Sequence, residues 1–403
     1  MEPLLLTEHL SHDHEVKSYG LPRKHTLDAK MSIFVETQDR TSFWTIRNLY
    51  TPPFPGTVPK FLTDSKNLQW LQCPSKLPTF IQKLDINVSG CWNYPDISIK
   101  LLFDWAPLQK LQHVTNLSLN FSNCRSISNS SLNFIFSLFS HIKSLQRFSL
   151  NLSCCPRITS PGIKHLVSAL KKFKHLKALD LNFRLYNGTN LSSKIRSLLS
   201  SMMQRPRGSE GFKISSKGLS MLCHAIKCLI CLQSLTIDFS SSYLDDKSLT
   251  KIAKCLACLP HLNTLRLNLS YCEISDNGIN YLVSAISEHN KLTKLTLELA
   301  YNLKITDEGI KNLSLCLKEV KGLSHLELSF YGLIRLTQTT VEVLSKDIQG
   351  MKSLQHIILD LQGCRLCSEK SIIEEATSHI QSREIRDPSE RIFREINDET
   401  GFD

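Results

Sequence analysis

The stretch Leu262–Ile279, LNTLRLNLSYCEISDNGI, decides the fold of this chain because it recurs in frame. Leu292–Ile310 reads LTKLTLELAYNLKITDEGI, and Leu323–Val341 reads LSHLELSFYGLIRLTQTTV. The same frame starts at six further positions: Ile81, Val114, Leu145, Leu176, Leu232 and Leu354. Neighbouring copies start 30 to 33 residues apart, except for one step of 56 residues that marks an insertion. A fixed period of this length is the signature of a repeat architecture.

Each copy predicts one short strand followed by one helix. Leu265, Leu267 and Leu269 alternate with polar residues, which is typical of a strand with one buried face. The segment Gly278–His289 carries apolar residues at helical spacing, which predicts an amphipathic helix.

The start of each helix is also marked in the sequence. Ser275 and Asp276 stand where a helix N-cap is expected, and Thr306 and Asp307 match them in the next copy. A unit of about 30 residues cannot bury its own apolar face, whereas stacked neighbours bury a continuous core. The repeats therefore predict a solenoid.

The pattern L-x-x-L-x-L-x-L-S-x-C-x-x-I-[ST]-D-x-G-I resembles leucine-rich repeats of the ribonuclease-inhibitor and cysteine-containing (F-box-associated) classes. It covers about residues 80–375 in nine copies. The resemblance implies an α/β solenoid (horseshoe) with parallel strands on the concave face and helices on the convex face. We expect an N-terminal extension and cap, partly irregular, at 1–75, the solenoid at 76–375 with an insertion near 185–213, and a charged, disordered tail at 376–403.

Cysteine recurs at one position of the repeat, three residues after the last apolar residue of the strand. The members of this column are Cys91, Cys124, Cys155, Cys272 and Cys364, with Ser242 and Asn302 in the same column. The resemblance implies that these side chains form a ladder that satisfies backbone groups in the turns. With no secretory signal in the sequence, the fourteen cysteines favour reduced thiols.

Two Cys-x-x-Cys pairs, Cys228/Cys231 and Cys255/Cys258, raise the alternative of a four-thiolate zinc site. Cys228 and Cys258 are equivalent positions of neighbouring repeats, but Cys231 and Cys255 are not. The repeat frame therefore favours a structural role, with metal binding as the alternative. A cluster of three histidines near the N-terminus is a weaker metal candidate than a solvated terminus: His9, His12 and His14.

No catalytic motif is found in the sequence: no Walker A loop, GxGxxG turn, GxSxG, HExxH or kinase signature. Acidic pairs such as Asp245–Asp246 fall where helix N-capping explains them. We therefore expect a protein that is not an enzyme, with no catalytic residues, no cofactor and no metal.

Polar residues between the strand leucines should line the exposed face of the sheet. The first column reads Asp85, Ser118, Ser149, Asp180, Thr236, Arg266, Thr296, Glu327, Ile358. The second column reads Asn87, Asn120, Asn151, Asn182, Asp238, Asn268, Glu298, Ser329, Asp360. A flanking column ahead of the strands adds the basic residues Lys83, Arg147 and Lys294. The two main columns carry six acids and one base, which makes a mildly acidic stripe with a basic edge.

We predict that this face and the strand-exit rim bind a protein partner. The predicted contact residues are Asp180, Asp238, Arg266, Asn268, Glu298, Glu327, Asp360, Tyr271, Tyr301 and Tyr331. For the tyrosines, which fall at strand exits in successive repeats, packing along the repeat edge is the alternative to binding.

Two other functions stay open. The resemblance to F-box-associated repeats allows a substrate-recognition subunit of a ubiquitin ligase, although residues 1–75 lack a Leu-Pro-x-Glu start. The net charge of +11 and pI near 9.0 raise nucleic-acid binding, but basic residues are dispersed over helices, as in Lys171-Lys172-Phe173-Lys174. We expect a monomer in the cytoplasm, with the nucleus as the alternative, and no membrane association.

Overall fold

The computed structural model describes residues 31–38, 41–48, 82–90, 108–185, 214–364 and 370–386. The chain divides into two compact units, Met1–Leu181 and Asn182–Asp403. The histidines at 9–14, nearly all of the expected insertion and Cys91 lie outside the described residues.

The first unit combines paired strands with helices. Its elements are β1 (Met31–Gln38), β2 (Thr41–Asn48), β3 (Lys83–Asn87), a 3-10 helix (Leu108–His113), β4 (Asn116–Asn120), α1 (Asn129–Phe139), β5 (Arg147–Asn151), α2 (Ser160–Leu170) and β6 (Ala178–Asn182), within which the unit boundary falls. β1 pairs antiparallel with β2, and β2 to β5 pair in parallel. The sheet therefore begins two strands before the first repeat.

The second unit alternates helices and strands throughout. Its elements are α3 (Ser216–Ile226), β7 (Ser234–Asp238), α4 (Asp246–Leu256), β8 (Thr264–Asn268), α5 (Asp276–Ser287), β9 (Lys294–Glu298), α6 (Asp307–Glu319), β10 (His325–Ser329), α7 (Gln338–Gln349), β11 (His356–Asp360), α8 (Lys370–Ala376) and β12 (Ser382–Arg386). β7 to β12 are parallel and each pairs with the next. The nine repeat strands of the described chain, β3 to β11, confirm the repeat frame.

The strand leucines form one continuous interior in the second unit. Leu235 pairs with Leu265, Leu265 with Leu295, and Leu295 with Leu326, and each of the four is 1% exposed. Burying a leucine side chain is worth about 1.5–3 kcal/mol, and no single repeat can supply the cover. The register on which the solenoid prediction depends is therefore confirmed.

The insertion does not interrupt the core. Phe183 and Phe239 occupy the same repeat position on either side of it, and their rings stack with centroids 5.7 Å apart. The backbone N–H of Phe183 donates to the carbonyl of Asp238 at 2.8 Å. The extra residues therefore leave the ladder between consecutive strand exits intact.

A second ladder links the helix N-termini of neighbouring repeats. The carboxylate of Asp276 accepts from the backbone N–H of Thr306 at 2.8 Å and from its hydroxyl at 2.7 Å. Asp246 holds Ser275 in the same way, and Asp307 holds Thr337. Ser275, Thr306 and Thr337 are themselves the N-caps of the next helices. Each aspartate thus fixes the cap of the following repeat rather than its own.

In the first unit the same position is an amide. The Oδ1 atom of Asn129 accepts from the N–H of Thr159 at 2.9 Å, and its Nδ2 atom donates to the Thr159 hydroxyl at 2.7 Å. The hydroxyl donates to aspartate in one unit and accepts from asparagine in the other. Both residue types therefore make the same link.

The glycine of the D-x-G-I motif is explained by this ladder. A Cβ atom at Gly278 would collide with the carboxylate of Asp246, and one at Gly309 would collide with that of Asp276. The glycine leaves room for an aspartate that belongs to the preceding repeat. Its role is close packing, because neither residue needs a left-handed backbone.

The C-terminal end differs from the sequence expectation. β12 lies in the segment that was expected to be a disordered tail, yet it continues the parallel sheet beside β11. Its residues are mostly exposed, and Arg383, Glu384 and Arg386 give it the composition of a solvated segment. Only Ile385 carries the apolar signal of a strand.

Within the described residues, no helix is both long and apolar enough to cross a bilayer.

We predict that replacing Asp276 weakens the fold in a graded way. Asp276→Ala removes both acceptor oxygens from the Thr306 cap, so the free energy of unfolding should fall by about 1–2 kcal/mol. Asp276→Asn should cost less, because Asn129 shows that an amide serves the same position. Urea unfolding followed by circular dichroism measures both. Equal losses for the two variants would contradict the role given to the acceptor.

His289 supplies a pH-dependent test of the same core. Its side chain is buried, its Nε2 atom has no hydrogen-bond partner in the described structure, and burial lowers its pKa. Below pH ~6.5 the unfolded chain takes up a proton that the folded state resists, so stability should fall as the pH drops. The loss should level off once the pH passes the lowered pKa.

We therefore expect His289→Gln to lose less stability than the wild type between pH ~7.5 and ~5.5. His379→Gln, at an exposed position of the same unit, is the matched control and should follow the wild-type curve. Urea midpoints measured across this range decide the matter, and parallel curves for wild type and His289→Gln would refute it.

Candidate functional site

The cysteine column is structural. The thiols of Cys124, Cys155 and Cys364 donate to carbonyls of the preceding repeat, at 3.0 Å to Val88, 3.0 Å to Phe121 and 3.1 Å to Phe330. Cys272 reaches Phe239 at 3.6 Å, the Ser242 hydroxyl reaches Phe183 at 3.5 Å, and the Asn302 amide reaches Leu269 at 2.9 Å. The ladder that the resemblance implied is therefore present.

Burial keeps these thiols protonated. It raises the pKa of Cys155 to about 12, that of Cys272 to about 11 and that of Cys364 to about 12. A thiolate is the form that attacks substrates and binds metals. These cysteines therefore act as small buried donors.

The Cys-x-x-Cys pairs do not converge on a common point. The thiols of Cys228 and Cys258 donate to the helix carbonyls of His224 and Lys254, at 3.2 and 3.4 Å. Cys255 instead contacts Cys223, and that hydrogen bond together with burial raises the pKa of Cys255. Across the described residues, no group of three or more histidine, cysteine or acidic side chains could hold a metal ion.

The exposed face of the sheet carries the predicted columns in register. Thr236, Arg266, Thr296, Glu327 and Ile358 lie side by side on β7 to β11. The second column follows in the same order: Asp238, Asn268, Glu298, Ser329 and Asp360. In the first unit, Ser149 on β5 donates to Asp180 on β6 at 3.2 Å.

Arg266 is the centre of a polar network on this face. Its guanidinium lies 2.6 Å from one oxygen of Glu298 and 3.9 Å from Glu327. The second oxygen of Glu298 accepts from the amide of Asn268 at 2.7 Å, and Glu327 accepts from the hydroxyl of Thr296 at 3.2 Å. Three neighbouring strands are tied together by side chains that remain partly exposed, Arg266 by half and the two glutamates by about a third or less.

Most of the second column also serves the turns. The Oδ1 atom accepts from the backbone N–H two residues later at Asn87, Asn120, Asn151, Asn182, Asp238, Asn268 and Asp360, with distances of 2.8–3.2 Å. Such side chains cannot turn freely toward a ligand. Asn268, which was predicted to contact a partner, therefore also stabilises the turn after β8. Glu298 and Ser329, in the same column, instead form side-chain hydrogen bonds with residues of the neighbouring strands.

The three predicted tyrosines meet at the strand exits. The rings of Tyr271 and Tyr301 stack with centroids 4.5 Å apart, and Tyr331 meets Tyr301 edge-on at 5.1 Å. A Cβ atom at Gly332 would come within 2.8 Å of the Tyr301 ring, so this ring covers the next turn. The predicted packing along the repeat edge is therefore real, and all three rings remain partly exposed.

Two of these tyrosines have a backbone conformation that disfavours them. Tyr271 and Tyr301 each have φ of +57°, and the equivalent residues Gly332 and Gly363 have φ of +69° and +71°. The left-handed region costs a residue with a side chain about 1–2 kcal/mol relative to glycine. Each ring is held at the rim against this cost.

Sequence reasoning missed two groups beside this surface. Tyr243 follows β7, has φ of +54° and is 39% exposed, but it sits two positions beyond the aligned column and so escaped the alignment. His325 and His356, paired on β10 and β11 in the flanking column, have ring centroids 5.5 Å apart. Their signal in the sequence is the flanking column, where both histidines stand at the position of Lys83, Arg147 and Lys294.

Comparisons with known proteins give limited matches. The family model described as Leucine Rich repeat matches residues 261–283, which span β8 and the start of α5. Among solved structures, "Leiomodin-1 Actin-Binding Site 2 (ABS2)" matches with 21% identity and a TM-score of 0.26, over 34% of this chain and 75% of that chain. No curated protein matches. Together with the repeat register described above, the family-model match identifies the fold as an α/β leucine-rich repeat solenoid.

We predict that Arg266 contributes little to stability. A half-exposed ion pair is worth about 0.2–1 kcal/mol, so Arg266→Met should lower the free energy of unfolding by less than about 1 kcal/mol. Asn268→Ala should cost more, because it removes the acceptor of the Ser270 N–H as well as the donor to Glu298. Urea titrations compare the two variants. A larger loss for Arg266→Met would show that the network serves mainly the fold.

Proposed function

We propose that this chain is a non-catalytic scaffold that binds a partner protein through the exposed face of β7 to β12 and the tyrosine rim. We define the tyrosine rim as Tyr243, Tyr271, Tyr301 and Tyr331. The carrying observation is that exposed polar and aromatic side chains of this surface are already fixed by one another. Fixed side chains lose little conformational entropy when a partner binds, which favours affinity.

The composition of the surface supports the proposal. Tyrosine and arginine are the residue types enriched where interfaces hold most of their binding energy. Arg266 lies on β8, and Tyr271 and Tyr301 lie in the turns that follow β8 and β9. The predicted contacts on this surface remain our proposed set: Asp238, Arg266, Asn268, Glu298, Glu327, Asp360, Tyr271, Tyr301 and Tyr331. Asp180, on β6 of the first unit, stays a separate prediction. We add Tyr243, which is the most exposed tyrosine of the rim.

We further propose that the protein acts as a monomer in a reducing compartment such as the cytoplasm. The thiols of the cysteine column donate hydrogen bonds, which a disulfide would abolish. The last described strand, β12, presents Arg383, Glu384 and Arg386, and such charges discourage pairing between edge strands of separate molecules.

The test of the proposed function is capture of native partners by the full chain and by one charge variant. The face variant combines Asp238→Asn, Arg266→Gln, Glu298→Gln and Glu327→Gln. A matched control removes three acids and one base from exposed positions on the helices or at their ends: Glu288→Gln, Glu308→Gln, Lys311→Gln and Glu342→Gln. Captured proteins are quantified by mass spectrometry.

We expect the face variant to lose at least one protein that wild type and control retain in equal amount. Circular dichroism of all three proteins confirms that the fold is kept. The same captured proteins, at the same level, with all three would exclude this face as the binding surface.

A further inference from the structure

The two main columns of β7 to β11 have the opposite charge to the chain as a whole, with Lys294 of the flanking column and Arg386 of β12 as basic neighbours. Four carboxylates lie on β7, β9, β10 and β11, namely Asp238, Glu298, Glu327 and Asp360, and we call them the carboxylate band. In the two main columns of these strands and β8, only Arg266 is basic. The full chain carries +11. A partner group that fits the band is therefore basic.

The carboxylate band runs alongside the tyrosine rim. Glu298 lies three residues before Tyr301 on one strand exit, and Glu327 lies four residues before Tyr331 on the next. At about 3.3 Å per residue of fully extended chain, each carboxylate residue lies at most about 10–13 Å from the tyrosine that follows it. A segment that lies between them meets carboxylates on one side and aromatic rings on the other.

The spacing of the repeats selects the conformation of such a segment. Two ring-to-ring steps of 4.5 and 5.1 Å place Tyr331 no more than 9.6 Å from Tyr271. Parallel strands are about 4.8 Å apart, so side chains on every second strand recur at about 9.6 Å.

Three peptide conformations can be compared with this recurrence. A polyproline II helix repeats its faces every three residues, or about 9.3 Å. Two turns of α-helix measure about 10.8 Å. An extended strand repeats every two residues, or about 6.7 Å. Of the three, only the polyproline II helix has a period that matches the spacing of every second strand to within about 0.3 Å.

The tyrosine rings of the rim offer aromatic surface at successive strand exits. The left-handed conformation of Tyr271 and Tyr301 belongs to the turn, because the equivalent residues Asn123, Cys154 and Ser241 share it. Tyrosine rings are also what proline-rich segments dock against in known recognition grooves.

We propose that the surface between the carboxylate band and the tyrosine rim takes a basic, proline-containing segment in polyproline II conformation. Its prolines pack on the rings of Tyr271 and Tyr331, two repeats apart, and an arginine pairs with Glu327. This inference rests on the proposed function and names the chemistry of the partner. A Debye length of about 10 Å at 0.1 M salt confines repulsion by the basic remainder of the chain to its own neighbourhood.

The test uses three labelled synthetic peptides and the full-length protein. The first is four repeats of Arg-Ala-Pro, the second is four repeats of Glu-Ala-Pro, and the third is four repeats of Arg-Ala-Ala. Fluorescence anisotropy measures the dissociation constant of each. We expect the first peptide to bind at least tenfold more tightly than either of the others. Equal binding of the first and second, or of the first and third, overturns the charge or the conformation part of the inference.

Protein variants locate the bound peptide. Tyr271→Gly restores the residue type that the backbone prefers, so the variant should fold, and it should weaken the first peptide more than fivefold. Glu327→Gln should weaken it by up to about fivefold, as for an exposed ion pair. Tyr281→Ala, on an exposed tyrosine of α5, is the control and should change nothing. Unchanged binding by Tyr271→Gly places the peptide elsewhere and overturns the inference.

Failure here and failure of the proposed function give different results. If none of the peptides binds while the face variant still loses captured proteins, the surface binds a partner of another chemistry. If the face variant retains every captured protein, the proposed function itself is wrong, whatever the peptides do.

Discussion

The structure depends on one constraint: a strand–helix unit of thirty residues has an apolar face that only the neighbouring unit can cover. Leu265 is buried because Leu235 and Leu295 flank it in register. This apolar contact excludes a slip of one residue, which would turn the leucines outward, but it does not by itself distinguish registers that differ by two residues. Directional contacts do, since the Asp276–Thr306 bonds and the amide of Asn302 are made at one register only. Apolar burial holds the stack together, and hydrogen bonds between repeats set its alignment.

The different roles of the buried and exposed faces of the sheet follow from that constraint. Side chains between the strand leucines have no core to fill, so they are free to differ from repeat to repeat, as Arg266, Thr296 and Glu327 do. Their neighbours across the strands nevertheless fix them, as the Arg266–Glu298 contact shows. A surface of this kind varies in chemistry while it stays rigid in geometry. Those two properties are what a recognition surface requires.

Sequence alone predicted the parts of the fold that repeat. The alternation of Leu265, Leu267 and Leu269 fixed the strands, and Ser275 and Thr306 were found as caps where the spacing placed them. Parts that occur once were harder to predict. β12 was missed because three charged residues in five concealed Ile385, and pairing with β11 supplied what its composition lacks.

For the candidate site, the positions could be predicted but the interactions could not. The thirty-residue interval between Tyr271 and Tyr301 correctly placed them side by side, whereas their stacking and positive φ depend on turn geometry that no spacing encodes. The second column was predicted as a binding surface, and its asparagines are also turn acceptors, which was not predicted. The recurrence of Asn-x-Ser at Asn120, Asn151 and Asn268 was the signal for this, because the serine N–H is the donor each time.

The link between Asn129 or Asp276 and the next cap residue has a consequence for how such a chain diversifies. A threonine hydroxyl accepts from an amide or donates to a carboxylate, so either partner can be exchanged by a single codon change without a compensating one. The glycine beside this link cannot be exchanged in the same way, because the Cβ atom of any other residue would collide with the asparagine or aspartate side chain. Charge at this position can therefore drift among homologous repeats while the glycine stays, and a descendant could become more basic or more acidic along this edge with its architecture intact.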